Sequence, residues 1–352
     1  MRKHDIKEGK YGKLFIPKTE WDEEMTDYCL THDIKEIHLN PSLGWKFEGL
    51  SFLKKLKSVM VTREGKNGRQ FIVNDEWNSN MTKYCLSNGI RDIYMNIAWG
   101  WRGDDLSFLA ELKNTIISVG ILCAFLHDPK PLESLHRLEN LSLSCIVKKK
   151  INLAFFPQLK ETYLNWNNNV RSLFDCDGLK QIGIYRFNTK QGDLSEFSRF
   201  TDLEFLWLSI TNIKKIGDLS ALQKLKTLEV NLATKLETLS GIENLKYLKR
   251  LELNTCRKIG NIGPIEYLEN LEVLFLNNSS KIESLKPIEN LKKLKEFLFY
   301  EDTNIVDGDL TPLQRLPNLQ EIVFMNRRHY NLSQPLCGGT HPSELMPQPC
   351  NK

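Results

Sequence analysis

Residues 225–276 read LKTLEVNLATKLETLSGIENLKYLKRLELNTCRKIGNIGPIEYLENLEVLFL, and this stretch decides the fold. It contains the pattern Leu-x-x-Leu-x-Leu three times, starting at Leu225, Leu248 and Leu271, with Val230 replacing one leucine. Consecutive copies therefore begin 23 residues apart. A fixed period of this length is typical of stacked supersecondary units, none of which can bury its apolar side alone. We predict a solenoid of stacked repeats.

The same pattern continues on both sides of this stretch. Predicted strands begin at the fourth position of each motif, at intervals of 20 to 25 residues. These positions are Leu141, Thr162, Ile182, Leu206, Leu228, Leu251, Leu274, Phe297 and Ile322. Alternate side chains of a strand point to opposite faces of its sheet. The motif leucines are thus expected to point into the core, and positions three, five and seven to face solvent.

A 56-residue duplication precedes the regular repeats. Fifteen residues recur at this one offset without a gap, among them Trp21 as Trp77 and Cys29 as Cys85. Each copy predicts a short strand, a helix and two further strands separated by one repeat period. The segment 63–70, REGKNGRQ, is expected to be a basic turn that joins the copies.

These patterns predict three segments. Residues 1–120 hold the two helix-bearing copies and are continuous with the solenoid. Residues 121–326 hold the regular repeats. Residues 327–352 are rich in Pro, Gly and polar side chains, so we expect a poorly ordered tail.

The repeats resemble the leucine-rich-repeat family, and most closely its short, internalin-like class of about 22 residues per repeat. The resemblance covers residues 34–62 and 90–326. It implies an α/β fold, namely a curved right-handed stack with a parallel β-sheet on its concave side and short helices or 3-10 turns on its convex side. The ninth motif position is usually Asn in the family. Here it is Asn167, Thr211, Cys256, Ser279 or Asp302, each of which is expected to satisfy backbone donors at the turn after the strand.

The composition narrows the classes of function. The 352 residues carry a net charge of +4, which disfavours a dedicated nucleic-acid-binding protein with its concentrated basic surface. No segment reaches the roughly 18 apolar residues of a membrane span, and the first residues do not resemble a secretory signal. Eight cysteines are scattered along the chain, so we expect reduced thiols and a cytoplasmic location.

Aromatic and acidic side chains occupy the outward positions in the middle of the repeats. Exposed aromatic residues bordered by charge are typical of the residues that dominate binding energy at protein interfaces. We therefore predict a partner-binding surface on the concave side. Its residues are Tyr163, Trp166, Tyr185, Phe205, Trp207, Glu229, Asn231, Arg250, Glu252 and Phe275.

Alternatives stay open for several of these positions. The aromatic residues could instead shield the sheet backbone or pack on one another. The asparagines at position seven could bond a partner or be tolerated polar residues. The loop residues Trp45, Trp99 and Trp101 could plug gaps between repeats or extend the surface. Apolar outward residues in the last repeats, Leu298, Tyr300, Val323 and Met325, are expected to lie under the tail or a missing end cap.

The sequence favours a non-enzymatic, monomeric scaffold for protein–protein interaction that needs no cofactor or metal. The family resemblance further implies a regulator or inhibitor of the bound protein. An extracellular, adhesin-like binding protein is one alternative, and it requires a leader or anchor.

An enzyme is the other alternative, with an active site in the duplicated region. Its candidate groups, Glu36, His38 and Asp92, form no recognised catalytic set. No phosphate-binding loop, nucleophile elbow or zinc-protease motif is present. Cys337, His341 and Cys350 fit no zinc-binding spacing, with or without His329.

Overall fold

A computed structural model of the chain describes residues 3–43, 50–103, 105–279, 281–334 and 341–347. The chain divides into two compact units, Met1–Asp177 and Gly178–Lys352. The three predicted segments concern the type of repeat rather than compactness, and their bounds at residues 120 and 326 stay predictions. Each unit is described separately below.

The first unit is built on strands that pair in chain order. Their bounds are β1 His4–Gly9, β2 Gly12–Pro17, β3 Ile34–Leu39, β4 Met60–Gly65, β5 Gly68–Val73, β6 Asp92–Asn96, β7 Ser118–Leu126, β8 Asn140–Val147 and β9 Glu161–Asn165. The pairs β1–β2 and β4–β5 are antiparallel. The pairs from β2 to β4 and from β5 to β9 are parallel.

The two antiparallel hairpins are the main departure from the predicted repeat. The segment 63–70 is more than a turn, because it contains the end of β4 and the start of β5, paired through Arg63 and Gln70. Gly68 has φ +92° and Gly12, at the equivalent place in β1–β2, has φ +130°. Glycine adopts this backbone conformation without a steric penalty, which allows each tight connection.

The duplicated helices are α1 Glu23–Thr31 and α2 Ser79–Ser87. Asp22 caps α1 by accepting a hydrogen bond from the Met25 amide (2.8 Å), so Trp21 lies before the helix rather than on it. Trp21 stacks on Phe52 with ring centres 4.0 Å apart. In the second copy, Trp77 stacks on Phe108 at 3.8 Å. The duplicated residues thus hold each helix against its repeat in the same way.

The second unit carries a sheet whose strands are all parallel. In spatial order they are β10 Gln181–Tyr185, β11 Phe205–Ser209, β12 Thr227–Asn231, β13 Arg250–Asn254, β14 Val273–Phe275, β16 Glu296–Phe299 and β18 Glu321–Phe324. Short strands β15 Lys281–Ile282 and β17 Asn304–Ile305 pair in the connections. The last pair, β19 Leu332–Ser333 with β20 Met346–Pro347, is antiparallel.

Most connections between strands are 3-10 turns, as predicted for this type of repeat. Two are single α-helical turns, α3 Leu109–Leu112 and α4 Thr311–Gln314. The 3-10 helices are Pro41–Leu43, Leu50–Lys55, Ile97–Trp99, Lys130–Ser134, Leu153–Phe155, Asn168–Asp175, Ser195–Arg199, Ile242–Asn244, Gly263–Tyr267, Lys286–Asn290 and Pro342–Glu344.

The motif leucines form the core, as predicted. Leu225, Leu228, Leu248 and Leu251 are completely buried, and the other repeats follow the same pattern. Burying one such side chain contributes roughly 1.5–3 kcal/mol relative to exposure. Because every repeat supplies the same set of leucines, the core continues from one repeat to the next within the unit.

The prediction for the ninth motif position is confirmed at Asn167 and Thr211, which accept hydrogen bonds from the amides of Asn169 (2.8 Å) and Ile213 (3.4 Å). Ser279 donates to the carbonyl of Leu253 (3.2 Å), and the Cys256 thiol lies 3.5 Å from the carbonyl of Val230. Ser279 and Cys256 therefore differ from the prediction, because they satisfy backbone acceptors of the preceding repeat rather than donors. In the repeat before the last, which contains β16, the prediction of Asp302 is wrong. Asp302 is exposed and the next residue, Thr303, is buried and donates to the carbonyl of Leu276.

The described part of the predicted tail follows the last repeat closely. His329 Nε2 lies 2.9 Å from the Ile305 carbonyl, and the Asn331 amide donates to the Gly308 carbonyl (3.0 Å). Tyr330 is buried, and its hydroxyl accepts a hydrogen bond from the Ile305 amide (2.9 Å). These contacts cover the end of the core, which is what terminal repeats of a solenoid require.

Candidate protein-binding surface

The second unit has a sheet face that its own core does not cover, which we call the open face. One row of side chains crosses it in register through Gly183, Trp207, Glu229, Glu252, Phe275, Leu298 and Val323. Adjacent strands lie about 4.8 Å apart, so neighbours in this row are in contact range. In β11, Leu206 and Leu208 point into the core while Phe205 and Trp207 are partly exposed, as predicted.

The aromatic residues of the open face are available for contact. Tyr185 is 37% exposed. Phe205 and Trp207 make no ring contact and no side-chain hydrogen bond within the described residues. Trp207 lies beside Gly183, which has no side chain, on one strand and beside Glu229 on the other. The alternative that these rings pack on one another is therefore not what the structure has.

The acidic strip beside Trp207 contains one paired and one unpaired carboxylate. Arg250 forms an ion pair with Glu252, and its guanidinium lies 4.6 Å from the ring centre of Phe275. Glu229 has no ion pair or hydrogen bond within the described part of the chain. Burial and the negative charge of Glu252 raise the pKa of Glu229, although Arg250 opposes this.

The position-seven asparagines are used at least partly inside the protein. Asn254 donates through Nδ2 to Oδ1 of Asn231 on the neighbouring strand, at 2.8 Å. This bond uses one of the two acceptor sites of the Asn231 side-chain oxygen, so Asn231 keeps one acceptor site and its amide donors for a partner.

A row of left-handed residues was not predicted as part of the surface. Ile210 and Leu232 follow strands β11 and β12, have φ of 54° and 56°, and are 38% and 42% exposed. The left-handed conformation costs roughly 1–2 kcal/mol for a residue with a side chain. It is maintained because the Ile210 amide donates to the Asn231 carbonyl (2.9 Å) and the Leu232 amide to the Asn254 carbonyl (2.8 Å). Two exposed apolar side chains therefore lie at the ends of β11 and β12.

The eighth motif position holds this conformation in successive repeats of the second unit. The remaining members of the row are Arg186, Thr255, Asn278 and Glu301. An apolar residue at the eighth position is the one sequence signal that could have identified Ile210 and Leu232.

A depression of about 420 Å³ lies on the open face further along the sheet. Its lining includes Glu252, Phe275, Leu298 and Tyr300. Leu298 and Val323 are half-buried, and Met325 remains exposed.

Two of the ten predicted contact residues belong to the first unit. Tyr163 is an exposed residue of β9. Trp166 is half-buried and meets Phe174 edge-on, with ring centres 5.7 Å apart. The other eight, from Tyr185 to Phe275, lie on the second unit.

The two loop tryptophans among the described residues, Trp99 and Trp101, both pack against other residues of the first unit. Trp101 is buried and fills space inside its repeat. Trp99 is half-buried and lies under the guanidinium of Arg63, 5.6 Å from its ring centre. Trp45 lies outside the described residues.

The candidate groups of the enzyme alternative each have internal partners. Glu36 accepts hydrogen bonds from the Tyr84 hydroxyl (3.1 Å) and the Tyr11 amide (3.0 Å). Asp92 accepts one from Gln70 (2.8 Å), and burial raises the pKa of its carboxyl group. A polar cavity of about 300 Å³ adjoins Asp92, and its lining includes both Lys66 and Glu161, which pair with each other.

His38 lies between Thr62 Oγ1 and Glu64 Oε1, at 3.0 Å from each. Burial lowers the pKa of His38. This order of groups matches a hydroxyl–histidine–carboxylate set, but the Thr62 side chain is 1% exposed. The hydroxyl is therefore not accessible to a substrate.

Within the part of the chain that the structure describes, no three His, Cys, Asp or Glu side chains are grouped so that they could hold a metal ion. Cys337 and Cys350 lie outside that part. No helix among the described residues has the length and apolar character needed to cross a membrane.

The fold matches that of solved leucine-rich-repeat proteins. An internalin, InlF, from Listeria monocytogenes superposes with a TM-score of 0.51 at 17% identity, over 78% of this chain and 83% of that protein. A leucine-rich-repeat protein of Leptospira interrogans gives a TM-score of 0.44 at 16% identity, over 87% and 92% of the two chains. Internalin C2 of Listeria monocytogenes gives 0.34 at 23% identity, over 56% and 76%. No protein-family model and no curated protein matches the chain. The predicted resemblance to internalin-like leucine-rich-repeat proteins is confirmed at the level of the fold.

Proposed function

We propose that this protein, which has the leucine-rich-repeat fold, is a non-enzymatic scaffold that binds a protein partner on the open face of its second unit. The proposed contacts there are Tyr185, Phe205, Trp207, Glu229, Asn231, Arg250, Glu252 and Phe275, to which we add Ile210 and Leu232. Tyr163 and Trp166 remain proposed contacts on the first unit. By binding, the protein acts as a regulator or inhibitor of its partner.

The observation that carries this proposal is the group of accessible, uncommitted aromatic rings on a rigid sheet. Phe205 and Trp207 make no ring contact and no side-chain hydrogen bond within the described residues. Tryptophan and tyrosine are enriched among the residues that contribute most to protein–protein affinity. A sheet that is ordered before binding loses little conformational entropy when the partner arrives.

The adjacent row adds apolar surface to this proposed contact area. The left-handed conformation recurs at the eighth position of neighbouring repeats and is therefore a property of the repeat. At Ile210 and Leu232 it is accompanied by apolar side chains that are 38% and 42% exposed.

We further propose that the protein acts in the cytoplasm as a monomer. Cys29, Cys85 and Cys256 are buried thiols outside any disulfide. Burial raises the pKa of Cys29 and of Cys256 to about 12, so both stay protonated at neutral pH. Such thiols are typical of a reducing compartment. Light scattering coupled to size-exclusion chromatography tests the monomer directly.

The proposal is tested by capturing partners from native lysate on the wild-type protein and on matched variants. Trp207→Ala and Tyr185→Ala remove open-face rings, whereas Tyr247→Ala and Tyr267→Ala remove exposed rings from the turns between strands. We expect Trp207→Ala to weaken capture by about thirtyfold, corresponding to ~2 kcal/mol, and the control variants to have no effect.

Thermal unfolding of the same variants separates binding from folding. Substitutions at partly exposed positions away from the core change the free energy of unfolding by about 0.5 kcal/mol or less. Equal capture by Trp207→Ala, Tyr185→Ala and the controls would show that the open face is not the binding surface.

A further inference from the structure

The central row of the open face is nearly symmetric in its chemistry. Trp207, Glu229, Glu252 and Phe275 occupy four adjacent strands in register, which gives the order aromatic, acid, acid, aromatic. Each half of the row is therefore an acid beside an aromatic ring. The two halves differ in whether a cation accompanies them.

The half formed by Glu252 and Phe275 contains its cation already. Arg250 precedes Glu252 by two residues on the same strand and pairs with its carboxylate. The same guanidinium lies 4.6 Å from the ring centre of Phe275. A guanidinium suits both neighbours, because its planar donors pair with a carboxylate and its face stacks on an aromatic ring.

The half formed by Trp207 and Glu229 has no such cation. Thr227 occupies the position equivalent to Arg250, since it precedes Glu229 by two residues and is in register with Arg250. A threonine has no positive charge to supply. Glu229 is thus left without an ion pair among the described residues, next to a tryptophan that has no ring contact there.

The charge of the row indicates what would complete this half. Arg250 forms an ion pair with Glu252, whereas Glu229 feels the charge of Arg250 without forming an ion pair with it. Phe205 and Asn231, which lie on the same strands as Trp207 and Glu229, are uncharged. An incoming cation therefore meets one carboxylate without an ion pair and one accessible aromatic ring.

We infer that the partner inserts an arginine side chain between Trp207 and Glu229 and so completes the second half of the row. This inference rests on the proposed function, and it specifies the chemistry of the partner as a surface that presents a guanidinium. Arginine is favoured over lysine because the completed half uses an arginine, and because only a guanidinium offers planar donors together with a stacking face.

The first experiment uses N-acetyl-arginine amide as the probe and N-acetyl-citrulline amide as its uncharged analogue. The indole N–H resonance of Trp207 is identified by its loss in Trp207→Phe. We expect the arginine probe to shift this resonance in a saturable manner and the citrulline probe not to. Glu229→Gln should lower the affinity for the arginine probe by about tenfold. The matched variant Glu269→Gln changes an exposed carboxylate elsewhere and should bind the probe like wild type.

The second experiment supplies the missing cation within the chain. Thr227→Arg reproduces the spacing of Arg250 and Glu252. We therefore expect the new arginine to form an ion pair with Glu229, so that the arginine probe no longer shifts the indole resonance of Trp207. Thr201→Arg adds the same charge at an exposed turn and serves as the control. Unfolding curves establish that all variants are folded.

Different results distinguish the inference from the proposed function. An equal shift by both probes, or full arginine binding by Glu229→Gln and Thr227→Arg, overturns the arginine site. If partner capture then still depends on Trp207, the open face remains the proposed binding surface, without the arginine site. If capture depends on neither Trp207 nor Glu229, both the arginine site and the proposed binding face are wrong.

Discussion

Replacing Tyr330 by phenylalanine tests whether the residues after the last repeat act as an end cap. The Ile305 amide donates to the Tyr330 hydroxyl at 2.9 Å, and that hydroxyl lies 3.3 Å from Asn304 Oδ1. Both Ile305 and Tyr330 are buried. Tyr330→Phe keeps the ring that meets Phe324 at 6.1 Å, and it removes only the oxygen. The Ile305 amide is then buried without its acceptor.

The expected cost follows from that lost acceptor. Leaving a buried donor unsatisfied costs about 1–3 kcal/mol. For a unit of this size, each kcal/mol corresponds to a decrease in melting temperature of roughly 2–4 °C. Because repeats contact only their neighbours, the loss should open the end of the second unit first. Tyr247→Phe removes the same hydroxyl oxygen from an exposed tyrosine and should change the melting temperature little.

Hydrogen exchange provides the decisive assay. We expect the Ile305 amide to exchange faster in Tyr330→Phe than in wild type, whereas the amides of β11 and β12 keep their rates. If exchange at Ile305 and the melting temperature both match those of Tyr247→Phe, the hydroxyl is not stabilising the end of the core. The view of residues 327–334 as a cap would then be refuted.

Two further predictions concern packing and charge. Gly241→Ala should lower the free energy of unfolding, measured with urea, by about 3 kcal/mol or more, because the added methyl carbon would lie 1.9 Å from the Gly217 carbonyl oxygen at a φ of 103°. Gly178→Ala is the control, since Gly178 has φ 70° and open space around it, and should cost only about 1 kcal/mol. Since folding raises the pKa of Glu229, its neutral form favours the folded state, so its contribution is fully present below the unfolded pKa near 4.5 and is lost as pH rises through the folded pKa. Stability measured from pH 4 to pH 7 should therefore fall more for wild type than for Glu229→Gln, and parallel curves would contradict this.

The repeat, and which face of each strand is buried, could be predicted because the pattern of leucines determines both. A strand has two faces, and a register shift of one residue would expose Leu228 and bury Glu229. The hydrophobic pattern therefore fixes which face is buried before any coordinate is known. The exposure of Trp207 and Tyr185 follows from the same alternation, and so does the position of Arg250 beside the acidic strip.

The hairpins of the first unit could not be predicted from that pattern. The sequence of β1 is HDIKEG, and β4 ends in Arg63, Glu64 and Gly65, so neither alternates between apolar and polar residues. Strand β1 and the end of β4 expose most of their side chains and are held by backbone pairing to β2 and β5. The apolar residues in β2, β4 and β5 do predict strands, but the sequence indicates neither β1 nor the antiparallel pairing across Gly12 and Gly68.

The left-handed row was missed for a related reason. Gly and Asn are the residues that usually indicate positive φ, yet Ile210, Leu232 and Thr255 adopt it. Their conformation is imposed by hydrogen bonds between neighbouring repeats, which a local sequence does not reveal. The shift from Asp302 to Thr303 has the same origin, since the interval of 25 residues in that repeat adds length that only the three-dimensional turn can place.

The functional inference depends on a distinction that composition alone could not make. Glu229 and Glu252 are identical in type, adjacent in the sheet and equivalent in their repeats. They differ because one has an arginine two residues earlier and the other has a threonine. Only the structure shows that Arg250 forms its ion pair with Glu252 and lies against Phe275, while it acts on Glu229 only through its charge. A carboxylate that is partly buried without a counter-charge is costly for the folded protein. That cost is removed when a partner supplies the cation, so the same feature that lowers the stability of the free protein favours the complex.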